Sequence, residues 1–521
     1  MVLQERYRLW LVKFQYTMLF LTIITLPIFA LSKKFQIPYL GDRLYYYFAL
    51  LGFIALGIEW AFFRFKIDKI TKIFFVVFLG WQMLSLLFGL YQYPYYQEIN
   101  WHASPGLSRF INFTINHGLD FITINQMEAI WLAMRVIKNT LIDLLFTFGI
   151  SVWIIHLFFE SFDRGFSIVR KYIFALAIAL GIYAIPEILF FKFKMKIGYD
   201  ILSITNPLMY DVGKYLDWYP PLIWMNEQVR SYCVEPSTFG VLAATIIPIL
   251  WSYCLENIKY SSVYLYYIML VFMTKSRTSN AIVIFDTLFL LFGVFFHKTR
   301  KWAVVLIIFT SLGFICNIGM NFIPTLFSLG ESINTEEKSA YSYYENNVKS
   351  IVEPDSRSNG SRMINIIGHI NVARQHLLIG VGRGLETCYI RDNLPDGALS
   401  NKEISSITEK INKNGPLTLE SYGNVNHYAY VLTNIGLIGL FIYLLPFIYV
   451  LWMVFKLRLW MNNRYIFLSI ALLGDLLAGM AGEVIMLSYI LLGLLYIGVR
   501  ENYPSFTRNE IHSSHINNSY E

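Results

Sequence analysis

Charge is scarce in this chain. Only 15% of its 521 residues are Asp, Glu, Lys or Arg, against about 25% in a soluble domain. That leaves too little polar surface to clothe the several globules this length would otherwise suggest. Nucleotide and metal signatures are missing too: there is no DxD, no GxxxxGK[ST] and no HExxH. Any reaction is therefore expected to run without a nucleotide, a cofactor or a bound metal. Four cysteines, Cys233, Cys254, Cys316 and Cys388, contain no CxxC spacing and supply neither a zinc site nor a disulfide framework. A Cys233–Cys388 bridge in an oxidising compartment is the one candidate pairing. No basic stripe is present either, because the 42 Lys+Arg and 35 Asp+Glu are scattered between apolar runs. Nucleic acid is excluded as an expected partner, whereas the net +7 fits anionic headgroups and phosphate-bearing substrates.

What abounds is apolar sequence. Hydrophobic residues make up 56% of the chain and mean hydropathy is +0.49. Apolar runs lie near 10–31, 44–62, 72–91, 139–159, 171–191, 238–255, 260–275, 279–297, 302–324, 428–455, 465–481 and 484–499. A span needs about 20 such residues, and none of these runs shows the two-residue alternation of a barrel strand. The expected fold is an all-α polytopic membrane protein of about 12 transmembrane helices. The first run, Phe14 to Leu31, lacks a small-residue cleavage site and is read as a span, not as a removed signal peptide.

Orientation follows from short loops. With Arg6, Arg8 and Lys13 on the cytoplasmic side, so are Arg64, Lys66, Lys69 and Lys72; Arg164, Arg170 and Lys171; Lys259; Lys298, Arg300 and Lys301; Lys456, Arg458 and Arg464. This is the positive-inside pattern, and it puts both termini in the cytoplasm. The expected organisation is helices 1–9 over 1–324, with outer loops 92–138 and 192–237. A large outer loop follows at 325–427, then helices 10–12 over 428–500 and a polar tail at 501–521. Within the large loop, Met363, Ile366, Ile367, Ile370, Ala373 and Leu377 fall at helical spacing over 361–377, with Arg362, Asn365 and His369 on the other side. A surface helix lying on the membrane or on the bundle is expected there.

Four polar segments sit where outer loops meet helix ends. Val229 to Gly240 carries Arg230 and Glu235-Pro236-Ser237, a helix-entry pattern whose free N–H groups and arginine suit an anion; an Arg230–Glu235 pair capping the helix is the plainer alternative. Thr274 to Asn280 places Lys275 and Arg277 on the outer side against the charge trend, either snorkelling or working. Ser361-Arg362 opens the loop helix and leads to Gly380-Val381-Gly382-Arg383-Gly384, whose glycines permit a tight turn with exposed N–H groups. Asn426-His427 marks re-entry into the membrane and precedes Asn434-Ile435-Gly436-Leu437-Ile438-Gly439. A histidine there can act as a base near neutral pH, with Asn426 orienting it, or can be a hydrogen-bonded structural residue.

In order and spacing these segments resemble the bacterial O-antigen polymerase and O-antigen ligase superfamily, over roughly residues 225–445. The family often has His-Asn after the loop, whereas here Asn426 precedes His427 and Tyr428 follows it. The resemblance implies a metal-independent, multi-span (GT-C-like) glycosyltransferase acting on undecaprenyl-pyrophosphate-linked oligosaccharide at the periplasmic face of the inner membrane. Membrane lipid and a chain-length regulator protein are the other implied partners. By similarity, Arg230 and Arg362 would bind the pyrophosphate with Arg277 as a third, while His427 or Glu235 would serve as catalytic base. Arginine suits a departing diphosphate, being permanently charged and forked. The Glu-Pro-Ser segment favours a repeat-unit polymerase over a ligase that transfers glycan to lipid A–core. A transporter or flippase is the reading from another class, since Asp143, Glu187, Asp286, Asp475 and Glu483 lie in or near apolar spans.

Overall fold

The computed structural model describes residues 2–37, 40–63, 68–118, 121–213, 220–295, 300–327, 357–416 and 422–503. Arg64, Lys66 and Lys298, parts of the large outer loop (328–356 and 417–421) and the tail from 504 onward lie outside the described residues. The described chain is helical, with no strand. In order it forms α1 (Val2–Thr25), α2 (Leu44–Phe63), α3 (Lys69–Gln92), α4 (Pro105–Asn116), α5 (Ile124–Leu144), α6 (Ile150–Leu157), α7 (Phe162–Phe191), α8 (Lys196–Met209) and α9 (Pro236–Glu256). There follow α10 (Ser261–Met273), α11 (Arg277–Val294), α12 (Arg300–Phe327), α13 (Arg357–Gln375), α14 (Glu386–Asp392), α15 (Lys402–Asn414), α16 (His427–Lys456), α17 (Asn463–Ala478) and α18 (Met486–Glu501).

Each of the twelve apolar runs is a helix. Among the described residues, nine helices are long and apolar enough to cross a membrane. The exceptions are α1, whose first turns carry Gln4, Glu5, Arg6 and Arg8, and the short α10 and α18, of 13 and 16 residues. At about 1.5 Å per residue these two cover less than a 30 Å hydrocarbon layer. Yet α18 is buried almost throughout, and so is α9. Their neighbours, not lipid, cover them, and an extended apolar core runs through the bundle from Met18 to Val499.

A second core lies outside the bundle's centre and was not foreseen. Residues of the first outer loop (Ile99, Leu107, Ile111) pack with Val372, Leu385, Cys388 and Ile404 of the large loop and with the ends of α3 and α5. Arg391 bridges both carboxylate oxygens of Glu98, at 2.6 and 3.1 Å, tying the two loops together. Two loops joined across 293 positions thus make one unit, because each presents an apolar face too small to bury alone. The candidate disulfide does not form: Cys233 belongs to the bundle core, Cys388 to this second core, and all four cysteines are free thiols.

Candidate functional site

The site begins with a break in a membrane helix. Gly436 adopts φ 71°, ψ −177° inside α16, a conformation open in practice only to glycine. The break strands carbonyls that would otherwise bond four residues on, and buried carbonyls need donors. Val381 N–H donates to Thr433 O (3.0 Å), Gly382 N–H to Asn434 O (2.9 Å) and Trp81 Nε1 to Ile435 O (2.9 Å). Leu437 N–H turns instead to Leu377 O at 2.8 Å. Ser85 Oγ adds bonds to Ile379 O and Asn434 O at 2.8 and 3.0 Å. The Gly-Val-Gly-Arg-Gly turn is therefore the partner of the helix break; two of the N–H groups expected to be open to an anion are bonded to it. Its product is the position of the next side chain, Arg383.

Arg383 projects into a cavity of about 360 Å³. Around that cavity lie the turn before α2 (Arg43), the π-helical segment Leu145–Gly149 (Thr147, Phe148), the start of α16 (His427) and the α17–α18 connection (Glu483). The π-turn interrupts the α5–α6 span where it meets the cavity, a distortion that recurs at functional sites. Both arginines are held by carboxylates: Arg43 Nη2 by Glu483 Oε2 at 2.7 Å, and Arg383 by Asp143. Glu386 is the third carboxyl in the wall, and desolvation raises its pKa above the ordinary value, towards the neutral acid. Each arginine thus has one carboxylate partner, and the Asp143 side chain is 41% exposed.

His427 is the first residue of α16, and its backbone N–H is fixed by Gly482 O at 3.1 Å. Its Nε2 is buried in the cavity wall with no hydrogen-bond partner among the described residues. Asn426 does not orient the ring. Its side chain caps α16, accepting from Tyr428 and Ala429 N–H at 3.1 and 3.0 Å, while Asn424 approaches His427 Nδ1 at 3.4 Å. The amide neighbour left open by the Asn-His-Tyr order is thus two residues further upstream. Gln82 Oε1, Glu386 Oε2 and Asn434 Oδ1 are further unpartnered buried acceptors in the same wall. A hydroxyl-rich ligand could supply their donors.

The structure does not gather the five residues singled out from sequence; of these, only His427 lines this cavity. Arg230 is fully buried elsewhere, with Nη1 donating to Val234 O and Nη2 to Pro221 O and Leu222 O, and its guanidinium lies over the Tyr210 ring. It knits the segment ahead of α9. Glu235 occupies the N-cap position of α9 and accepts from Ser237 Oγ at 2.8 Å; it does not pair with Arg230. Arg277 opens α11 and Arg362 sits half-buried near the start of α13. That helix is amphipathic in the opposite sense to the one expected. Asn365 and His369 face inwards, His369 lining the cavity with Nδ1 3.0 Å from Thr433 Oγ1, while Met363 is exposed. Among the intramembrane carboxylates, Asp475 accepts from Thr245 and Ser488, and neither oxygen of Asp286 has a hydrogen-bond partner among the described residues. Sequence reasoning passed over Arg43. Its signal was a cation in a connection expected on the outer face, the same signal that drew notice to Arg277.

Residues 263–444, about a third of the chain, match the family model described as O-antigen ligase. No curated protein matches the chain in sequence. The matched stretch contains the helix break, the glycine turn, Arg383 and His427, but not Arg43, Arg230 or Glu235. Over residues 263–444 the chain is O-antigen-ligase-like, and together with its all-helical, multi-span build this supports the O-antigen polymerase and ligase superfamily.

Proposed function

We propose that the protein is an oligosaccharide repeat-unit polymerase. It transfers a growing glycan from undecaprenyl pyrophosphate to a lipid-linked repeat unit at the periplasmic face of the inner membrane. The observation that carries this reading is the convergence of Arg43, Arg383 and the unpartnered Nε2 of His427 on one cavity. The orientation rests on the basic short loops, with both termini cytoplasmic.

In the reaction the acceptor hydroxyl oxygen bonds to the anomeric carbon as the bond from that carbon to the diphosphate oxygen breaks. His427 Nε2 takes the hydroxyl proton, and the bonding electron pair leaves with the diphosphate. Arg43 and Arg383 meet the charge that grows there, a role for which a preorganised guanidinium needs no metal ion. Arg230, Arg277, Arg362 and Glu235 act at one remove in this reading, by shaping the segments that carry the site.

A ligase that passes the finished glycan to lipid A–core is the second reading, and the family match does not separate the two. Surface-glycan banding separates the two: loss of a polymerase leaves single repeats on the core, and loss of a ligase leaves bare core with lipid-linked polymer accumulating. His427→Ala at normal protein level is expected to give the single-repeat pattern, and an unaltered ladder would defeat the site assignment. Chelator is expected to leave the purified enzyme active. Strict dependence on added Mg²⁺ would count against the arginine mechanism. A chain-length regulator remains the expected protein partner, to be tested by co-purification.

A further inference from the structure

Beside the first cavity lies a second, of about 260 Å³. The two share Asp143, Arg383 and Tyr430, so the Arg383–Asp143 ion pair forms part of the partition between them. Each has a further cation of its own, Arg43 in the first and Lys138 in the second. The second wall is otherwise amphiphilic: Asn139 beside Lys138, against Leu40, Val136 and Ile142. Its Leu40 and Gly41 lie in the turn before α2, which places the cavity at a helix end of the bundle.

We propose that this second cavity is a separate binding site for the phosphate headgroup of a lipid-anchored glycan, the second substrate of the transferase. Lys138 and Arg383 supply charge-assisted hydrogen bonds, and the apolar wall takes the first carbons of the lipid. Arg383 faces both chambers, held by the Asp143 carboxylate and by the Tyr430 hydroxyl, and the half-exposed Asp143 is the partner a phosphate would displace. A phosphate in either chamber can therefore replace that carboxylate, and the partition gives way when the chambers are filled. Two anionic lipid headgroups then lie on either side of one guanidinium, which brings the glycans they carry together.

This inference rests on the transferase reading, but its test does not need turnover. Undecaprenyl phosphate is titrated into the purified protein in detergent and bound copies are counted by native mass spectrometry, with inorganic phosphate as the parallel probe. The expected result is two saturable lipid phosphates per chain. Lys138→Gln should weaken the second binding event about tenfold or more while leaving the first. His427→Ala should still bind two. A single bound lipid in the wild type, or two undiminished in Lys138→Gln, overturns the proposal. Inorganic phosphate binding as tightly as the lipid, with the same dependence on Lys138, would make the site one for free phosphate and also overturn it. If instead His427→Ala keeps its glycan ladder, the transferase reading fails while the binding count stands or falls by itself.

Discussion

Arg43 Nη2 donates to Glu483 Oε2 at 2.7 Å, joining the turn before α2 to the α17–α18 connection, 440 positions away in sequence. The same guanidinium reaches the Tyr46 and Tyr45 hydroxyls at 3.2 and 3.4 Å, so it is aimed by three partners. Removing an aimed cation from a site of developing charge costs about 10²–10³ in rate. Arg43→Ala is therefore expected to lose chain extension by that factor with normal protein level, because both partners of the pair are partly exposed. Glu483→Gln keeps the cation and loses its restraint, so a smaller fall, about tenfold, is expected. An in vitro extension assay measures both; wild-type rates in Arg43→Ala would remove this arginine from the site.

The break at Gly436 gives a second prediction. A Cβ added there would lie 2.2 Å from Leu378 O, and one at Gly380 2.5 Å from Asn434 O, so neither backbone can accept alanine without separating the turn from the helix. Gly436→Ala is expected to abolish activity and lower the Tm of the purified protein. Ser85→Ala removes only the two bonds to Ile379 O and Asn434 O and should cost about 1–2 kcal/mol. A Gly436→Ala protein of unchanged Tm would show that the close approach does not hold the site.

Much of the fold was legible because lipid imposes one rule on every span. Each apolar run became a helix, since in hydrocarbon the backbone must satisfy its own hydrogen bonds. The site was harder to read. Glycine turn and Asn-Ile-Gly segment were each noticed, yet their mutual bonding spans more than fifty positions, which no local pattern encodes. Arg230 misled for a related reason: an arginine beside a helix entry looks the same in sequence whether it faces an anion or three carbonyls. His369 falls opposite the apolar stripe of its helix, the stripe expected to lie on the membrane or on the bundle. The second core and the cavity take the other face instead.

Arg230 supplies the third prediction, and protein level is its readout. Removal of the side chain leaves the Val234 and Pro221 carbonyls without their donor, while Leu222 O keeps its bond from Asn206 Nδ2. Each orphaned buried group costs about 1–3 kcal/mol, and the stacking on Tyr210 is lost as well. Arg230→Ala is expected to accumulate poorly in the membrane, in contrast to Arg43→Ala. A well-folded, inactive Arg230→Ala protein would restore this residue to the chemistry.

The fourth prediction concerns acid. Burial lowers the pKa of His369 to about 4 from its ordinary 6.5. Below pH 6.5 the unfolded chain therefore binds a proton that the folded chain refuses, so stability falls as the pH drops from 6.5 towards 4 and is unaffected above that window. At about 1.4 kcal/mol per pKa unit the full loss is roughly 3 kcal/mol. His369→Gln can keep a bond to Thr433 and carries no titrating proton, so its Tm should drop less between pH 7 and pH 4.5 than that of the wild type. Equal drops in the two proteins would mean that the acid sensitivity lies elsewhere.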